Sequence, residues 1–212
     1  DPNPTMFVDN KNRLWLFWAV ILANEWHTAL MKYRVSSDYL GDGPPKWERS
    51  DNLLVIPKNI AKKTEDVFGK LTSEPGRTGE FAAKQIKLAN DKYFSRMGWF
   101  TRTHPQQLPS GRILVPMYSD GYSYSIMGIS DDGGATWYGS EPIVGFGNIQ
   151  PSVQRRKDGT LVAYMRDNGP PPQRMQKTES RDNGLTCSIP KHDILPNPGA
   201  GFDMVTLSNG DW

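Results

Sequence analysis

Two eight-residue segments that lie fifty positions apart constrain the fold of this chain most. Ser130–Trp137 reads SDDGGATW and Ser180–Cys187 reads SRDNGLTC, so both fit the pattern S-x-D-x-G-x-T followed by an aromatic residue or cysteine. In this pattern the Ser and Asp side chains bond to the backbone of a turn, and the glycine takes a positive φ. Each copy predicts a turn between two strands, and a repeat of about fifty residues built on such hairpins predicts a β-propeller.

A second repeated element indicates the same architecture. Polar turns followed by strand-like runs recur at Asn12-Arg13-Leu14, Gly111-Arg112-Ile113, Gly159-Thr160-Leu161 and Gly210-Asp211-Trp212. The last three copies are spaced by 48 and 51 residues, and runs such as RILVPMY and TLVAYM are rich in β-branched and aromatic residues. We therefore expect each run to be the second strand of a hairpin. A degenerate copy of the first pattern lies at Ser36–Trp47, with GDGPP inserted.

The number of repeats predicts an open piece of a propeller. A propeller protects the edges of its sheets by closing a ring, and about three four-stranded blades cannot do so. We therefore expect residues 1–212 to be a fragment of a longer all-β propeller.

One stretch has a helical pattern instead. Apolar residues recur at spacings of 4, 3, 4 and 4, which makes one helix stripe: Ala82, Ile86, Ala89, Tyr93 and Met97. Residues 58–71 predict a shorter helix. We interpret residues 58–97 as an insertion that packs on the propeller, and covering a blade edge is a simpler role for it than gating substrate.

Composition narrows the function classes. The net charge of +2, with scattered Lys and Arg residues, does not favour nucleic-acid binding. No apolar run approaches the ~20 residues that span a bilayer. The start of the chain lacks the apolar run of a signal peptide, but a cleaved signal would leave no trace, so the location stays open, with a secreted or periplasmic one slightly favoured.

Cysteine and histidine do not indicate metal or redox chemistry. The single cysteine, Cys187, excludes an internal disulfide, and it takes the place of Trp137 in the repeat, which predicts a packing role. The three histidines lack metal-ligand spacing: His27, His104 and His192. We expect neither a metal nor a cofactor.

Hairpin geometry places a candidate site at one rim. The start of each inner strand and the end of the strand that pairs with it share a rim, opposite the S-x-D-x-G-x-T turns. Inner strands begin at polar residues: Asn3, His104, Gln150 and, at the matching place in the fourth repeat, Asp203. The pairing predicts that Gln150 lies near Arg166 and that His104 lies near Tyr118.

Loops that leave the second strands converge on the same rim. They supply aromatic, carboxylate and guanidinium groups, a mixture suited to sugars: Glu25, Trp26, Asp120, Tyr122, Asp167 and Arg174.

The segments NPTMFVDNKNRLWLFW, HPQQLPSGRILVPMYSDG and NIQPSVQRRKDGTLVAYMR, with the two S-x-D-x-G-x-T turns, resemble the BNR/Asp-box repeats of the sialidase (neuraminidase) superfamily. The resemblance implies a six-bladed propeller of which residues 1–212 cover roughly the second to fourth blades. It implies that Arg166 is one of three arginines that bind the carboxylate of an acidic sugar. Tyr118 matches a pocket aromatic residue, and Glu25 resembles an acidic residue of the second-blade loop.

One departure from the family bears on catalysis. The glutamate that activates the family's tyrosine nucleophile is Gln150 here, and an amide cannot accept that proton. The resemblance assigns the acid/base aspartate to the first blade and the nucleophile to residues beyond Trp212.

Three functions fit these patterns. The leading one is an exo-acting, sialidase-like glycoside hydrolase of a carboxylated or similar terminal sugar, with Gln150 and Arg166 in the catalytic positions. Candidate substrate-binding residues are Asn3, Glu25, His104, Tyr118, Asp120, Arg166 and Asp203. The alternatives are a non-catalytic carbohydrate-binding propeller, which Gln150 favours, and a polysaccharide lyase on a propeller.

Overall fold

The computed structural model describes residues 3–212 as three four-stranded antiparallel sheets and two short helices. Sheet A contains β1 (Thr5–Val8), β2 (Leu14–Val20), β3 (Leu30–Ser36) and β4 (Arg49–Asn52). Sheet B contains β5 (Gln106–Gln107), β6 (Ile113–Ser119), β7 (Tyr124–Ser130) and β8 (Tyr138–Gly139). Sheet C contains β9 (Asn148–Arg155), β10 (Leu161–Asp167), β11 (Arg174–Ser180) and β12 (Lys191–Pro196). In each sheet the strands pair in chain order, so the predicted all-β, antiparallel architecture is confirmed.

The turn between the first two strands is the same in all three sheets and recurs after them. Its fourth residue has a positive φ of 56° at Asn12, 91° at Gly111, 91° at Gly159 and 90° at Gly210. In every copy the N–H of this residue donates to the carbonyl three residues earlier, at 2.8–3.0 Å. The residues spaced by 48 and 51 positions thus share one turn conformation, which only glycine or asparagine adopts easily.

The Asp-box turns join the third strand of a sheet to the fourth. Ser130 Oγ donates to Asp132 Oδ1 at 2.8 Å, and Thr136 N donates to the same oxygen at 2.9 Å. The equivalent bonds of Asp182 measure 2.8 and 3.0 Å. Hydrogen bonds from Thr136 lower the pKa of Asp132 to about 2, so the turn is held by a carboxylate at any ordinary pH.

The degenerate copy in sheet A keeps these bonds across a longer loop. Ser36 Oγ donates to Asp38 Oδ1 at 2.8 Å, and Lys46 N donates to the same oxygen at 2.7 Å. The donor stands eight residues after the aspartate, whereas Thr136 stands four after Asp132. The GDGPP segment is therefore accommodated between the two ends of the loop.

Each of the last two Asp-boxes packs on the preceding sheet. Trp137 lies edge-on to Trp15 and Phe17 of sheet A, with ring centroids 6.2 and 6.3 Å apart. Cys187 packs against the cluster shared by sheets B and C. Burial raises the pKa of its thiol to about 12, which agrees with a packing role and opposes a nucleophilic one.

Residues 58–97 contain both helices, α1 (Ile60–Phe68) and α2 (Arg77–Asn90). Lys58 N donates to Ser140 O at 2.9 Å, so the segment covers the edge of sheet B beside β8. Short 3-10 helices span Gly69–Ser73 and Phe94–Arg96, and a third, Trp26–Thr28, lies in the loop between β2 and β3. No helix within residues 3–212 is long and apolar enough to cross a membrane.

The predicted helix stripe is wrong at its end. Helix α2 stops at Asn90, and Asp91 Oδ1 accepts hydrogen bonds from the backbone N–H groups of Tyr93 and Phe94, at 2.7 and 3.0 Å. An aspartate that caps the next turn breaks the helix, and Tyr93 is 58% exposed.

Candidate functional site

Strand register places Arg166 and the Asp-box turns at opposite ends of sheet C. Arg166 pairs with Ile149 at one end, while Leu161 pairs with both Arg155 and Ser180 at the other. The latter end leads into the Gly159 turn and the Asp182 box. This is the arrangement that the hairpin directions predict.

Gln150 occupies an unusual backbone position at the rim. Its φ is +53°, and it lies at a register shift between β9 and β10, directly before Pro151. Its side chain is 7% exposed; Nε2 donates to the Tyr118 hydroxyl at 3.1 Å, and Oε1 has no hydrogen-bond partner within the described chain. Such strain at a buried polar residue is typical of functional positions.

Tyr118 is hydrogen-bonded to the Gln150 amide and lies within the electrostatic influence of Arg102 and Arg166. Burial raises the pKa of its hydroxyl to about 12, although the Gln150 hydrogen bond and the charges of Arg102 and Arg166 act in the opposite direction. The hydroxyl therefore stays protonated and serves as a hydrogen-bonding group.

Arg166 has free donors. Its Nη2 donates to Asn168 Oδ1 at 3.2 Å, while its buried Nε has no partner among residues 3–212. Neither Arg166 nor Arg102 forms an ion pair with any carboxylate of the described chain. Burial raises the pKa of Asp120, and the nearby charge of Arg166 opposes that rise.

The loop after β12 covers these groups. A Cβ atom at Gly199 would lie 4.0 Å from Arg166 Nη2, and one at Gly201 would clash with the Arg102 guanidinium and lie 2.7 Å from Gln150 Oε1. The buried side chain of Asn197 shapes the loop by donating to Ala200 O at 2.9 Å and accepting from Gly199 N at 3.0 Å. The glycines let the backbone approach the polar groups closely.

An aromatic series connects the sheet A loop to this site. Trp26 stacks on Phe100 with centroids 5.7 Å apart, and Phe100 lies 4.4 Å from the Tyr118 ring. The register does not pair Tyr118 with His104, as predicted, but with Phe100. The reason is that the segment paired with β6 begins four residues before His104.

His104 instead pairs with Asp203. Its Nδ1 lies 2.8 Å from Asp203 Oδ2, and Ser152 Oγ donates to Asp203 Oδ1 at 2.6 Å. The hydrogen bond to Asp203 raises the pKa of His104, and the pKa of Asp203 is lowered by His104 and Ser152 against the effect of its burial.

Asn3 and Glu25 are not brought into hydrogen-bonding contact with Gln150 or Arg166. Asn3 precedes β1 with a φ of +55°. Glu25 Oε2 lies 3.6 Å from His27 Nδ1, at the start of the Trp26 loop. Both keep the role of predicted binding residues, at the rim but outside the cluster.

Two of the predicted rim groups have structural roles. The buried Asp167 accepts from Gly169 N and Gln176 Nε2, both at 3.0 Å. Tyr122 stacks on Trp99, with centroids 5.2 Å apart, and donates to Leu88 O at 2.9 Å. These contacts anchor a loop and the helical insertion.

Sequence reasoning missed Arg102, Phe100 and the Asn197–Gly201 loop. The inner strand of sheet B was expected to begin at His104, so the residues before it received no role. Alternation of large side chains in Phe100-Thr101-Arg102-Thr103 could have indicated strand-like pairing there. Within residues 3–212 no three His, Cys, Asp or Glu side chains are grouped closely enough to hold a metal ion.

A family model described as a BNR repeat-like domain matches residues 2–212. The chain belongs to this family. No curated protein has a significantly similar sequence.

Solved structures with a fold similar to that of this BNR repeat-like chain include several glycosidases. Hadza microbial sialidase is 16% identical, with a TM-score of 0.55, over 91% of this chain and 33% of its own. Trypanosoma rangeli sialidase, bound to the inhibitor DANA, is 18% identical, with a TM-score of 0.55, over 88% and 27%. A GH43 β1,3-galactosidase is 16% identical, with a TM-score of 0.61, over 97% and 63%. The chain thus spans a third of the Hadza sialidase, and the predicted sialidase resemblance is confirmed at the level of fold and family.

Proposed function

We propose that this chain supplies the carboxylate-binding part of a sialidase-like glycoside hydrolase that acts on a terminal acidic sugar. The observation that carries the proposal is Arg166, whose buried Nε lacks a partner beside Tyr118 and Asp120. A guanidinium that is held in a partly buried pocket and forms no ion pair has donors left for a planar anion.

The surrounding groups fit recognition of such a sugar. Arg102 lies across the site beside Gln150 and adds a second positive charge. The Tyr118 hydroxyl and the Gln150 amide can bond to sugar hydroxyls. Asp120 adds a carboxyl group near Arg166, and burial raises its pKa.

Comparison with known folds supports glycosidase chemistry without naming the sugar. The similar structures include sialidases and a galactosidase, and each is longer than this chain. We propose that the complete protein is a six-bladed propeller and that blades outside residues 1–212 complete the site. The partner of this surface is then a carbohydrate together with those blades.

Replacing Arg166 tests the proposal directly. In the complete protein, Arg166→Ala should lower kcat/KM on an acidic terminal sugar by roughly 30- to 1000-fold, because a charge-assisted, two-bond contact worth about 2–4 kcal/mol is lost. Arg166→Lys should restore only part of this, because an ammonium lacks the planar fork. The measurement is hydrolysis of aryl sialosides and aryl uronides.

Arg181→Ala is the matched control, since it removes an exposed arginine from the Asp-box turn at the opposite end of sheet C. Its kcat/KM should equal that of the wild type. Undiminished hydrolysis of every acidic glycoside by Arg166→Ala would contradict the proposal.

A non-catalytic carbohydrate-binding propeller is the second candidate, and Gln150 is the observation that favours it. An amide at this position binds hydroxyls but does not accept a proton. Binding of acidic glycans by the complete protein, with Arg166 dependence and without turnover, would select this candidate. A lyase is less well supported, because a Tyr118 hydroxyl with its pKa raised to about 12 is a poor base at neutral pH.

A further inference from the structure

A cavity of about 310 Å³ lies between the start of helix α2 and the rim loops of sheets B and C. Its wall combines apolar and hydrogen-bonding side chains from four separate segments. These include Arg77, Phe81, Ser123, Phe146, Asn168 and Pro170. The insertion at residues 58–97 therefore forms part of a concave surface in addition to covering a sheet edge.

The floor of this cavity is preformed. Asn168 N donates to Gly147 O at 2.8 Å, and Gln176 Nε2 donates to Phe146 O at 2.8 Å. A Cβ atom at Gly147 would clash with the backbone of Gly169, so the two rim loops meet without side chains between them. The apolar wall is fixed in the same way, because Phe146 lies 5.1 Å from Phe68 and 5.5 Å from Phe81.

The cavity adjoins the proposed carboxylate site. Asn168 lines it and accepts the hydrogen bond from Arg166 Nη2. Ser123 lines it from the loop that also carries Asp120, and Ser123 N donates to Ser119 O at 2.7 Å. A glycan whose terminal sugar contacts Arg166 can thus continue into the cavity.

We propose that this cavity is a second sugar subsite, which binds the hexopyranose unit next to the terminal acidic sugar. This inference rests on the proposed function of the Arg166 site. A volume near 300 Å³ is at the lower end of ligand pockets and suits a single sugar ring. Phe81 and Phe146 offer an apolar wall to the C–H face of the ring, while Arg77 and Asn168 can bond to its hydroxyls.

Binding of thioglycosides to the complete protein tests the subsite, because the sulfur bridge prevents hydrolysis. Calorimetry would compare a methyl thiosialoside with thio-linked sialyllactose, and a methyl thiouronide with the matching uronyl disaccharide. In the wild type the longer ligand of a pair should bind about tenfold more tightly. Thr78→Trp, which fills the cavity from an exposed position, and Phe81→Ala should both remove this gain.

Lys84→Ala, which removes an exposed cation from the same helix, is the control and should keep the gain. Thr78→Trp leaves the packed aromatic residues intact, so it decides the question if Phe81→Ala fails to fold. Equal affinity gains in the wild type and Thr78→Trp would overturn the subsite even if Arg166 binds the terminal sugar.

The two proposals can fail separately. If neither monosaccharide ligand binds, the Arg166 proposal fails. Binding of the longer ligands then tests only whether the cavity is a sugar site. Binding of a longer ligand that is lost in Thr78→Trp would support the cavity as a sugar site. Absence of all binding would overturn both.

Discussion

Gln150 concentrates several uncommon properties in one residue. A left-handed backbone before proline, near-complete burial and an unpaired amide oxygen each cost free energy. Neighbouring structure must stabilise this arrangement, and the Tyr118 hydrogen bond is one such contact. Retention of a costly conformation beside Arg166 is consistent with a ligand-binding role for the amide.

Gln150→Glu should convert this position into a proton acceptor. If the missing base alone limits turnover, hydrolysis of an aryl sialoside by the complete protein should rise by about 100-fold or more. The new carboxylate would accept a hydrogen bond from the Tyr118 hydroxyl, and the nearby Arg102 charge would favour its ionised form. The measurement is kcat at several pH values.

Gln150→Met is the control for that experiment, since it keeps the volume and removes the polar head. It should not gain activity. An unchanged kcat in Gln150→Glu, with substrate binding intact, would show that turnover is limited by something other than the base.

Separation along the sequence decides which contacts of the site could be predicted. The proximity of Gln150 and Arg166 could be predicted because one tight hairpin connects them, so register follows from the Gly159 turn. The places of Arg102 and the Asn197–Gly201 loop in the site could not be predicted, because they depend on how separate sheets and loops pack. Asp203 was placed at the rim by the repeat, but its bonds to His104 and Ser152 depend on packing between repeats.

Among the elements, the Asp-box turn is formed by hydrogen bonds within its own sequence, and it then packs against the neighbouring sheet. Gly134 has a φ of +88°, and a Cβ atom there would clash with the indole ring of Trp15 in sheet A. Gly133, with a φ of +68°, would meet only the flexible Arg13 guanidinium at 3.4 Å. Adjacent glycines thus differ in what surrounds them.

Gly134→Ala should therefore destabilise the protein more than Gly133→Ala. A left-handed backbone costs alanine about 1–2 kcal/mol at either position, and the clash with a packed ring adds about 1–3 kcal/mol at Gly134. Urea titration of both variants would give the two free energies of unfolding. Equal values would show that Trp15 moves aside without cost.

Helices were less predictable than turns at this scale. The apolar stripe identified α2, yet it continued past the true end because Tyr93 and Met97 kept the spacing by chance. Asp91 supplied the contrary local signal, a side chain that bonds to the backbone two and three residues later.

At the scale of the whole molecule, sheets B and C share one core. Leu114 of β6 is fully buried, and its cluster includes Val153, Leu161 and Met165 from sheet C. Inner strands are also connected by side chains, since Gln106 Nε2 donates to Gln154 Oε1 at 2.6 Å. The fifty-residue repeat predicted each sheet, whereas the shared core follows from their stacking.

Leu114→Ala should consequently loosen both sheets. A cavity at a fully buried leucine costs about 2–5 kcal/mol, and amide hydrogen exchange should accelerate in β10 as well as in β6. Leu40→Ala, at a side chain that is 76% exposed, should change stability by less than about 0.5 kcal/mol. Faster exchange confined to sheet B would show that the sheets unfold independently.

The long Asp-box of sheet A shows what this motif controls. Asp38 receives the same two hydrogen bonds as Asp132 although its loop holds four more residues between the aspartate and the second donor. The carboxylate therefore determines where the polypeptide leaves one strand and where it returns, not the route that it follows in between. Loop length on that rim is free to vary without a change of register, so insertions there can alter the molecular surface while the sheet stays intact.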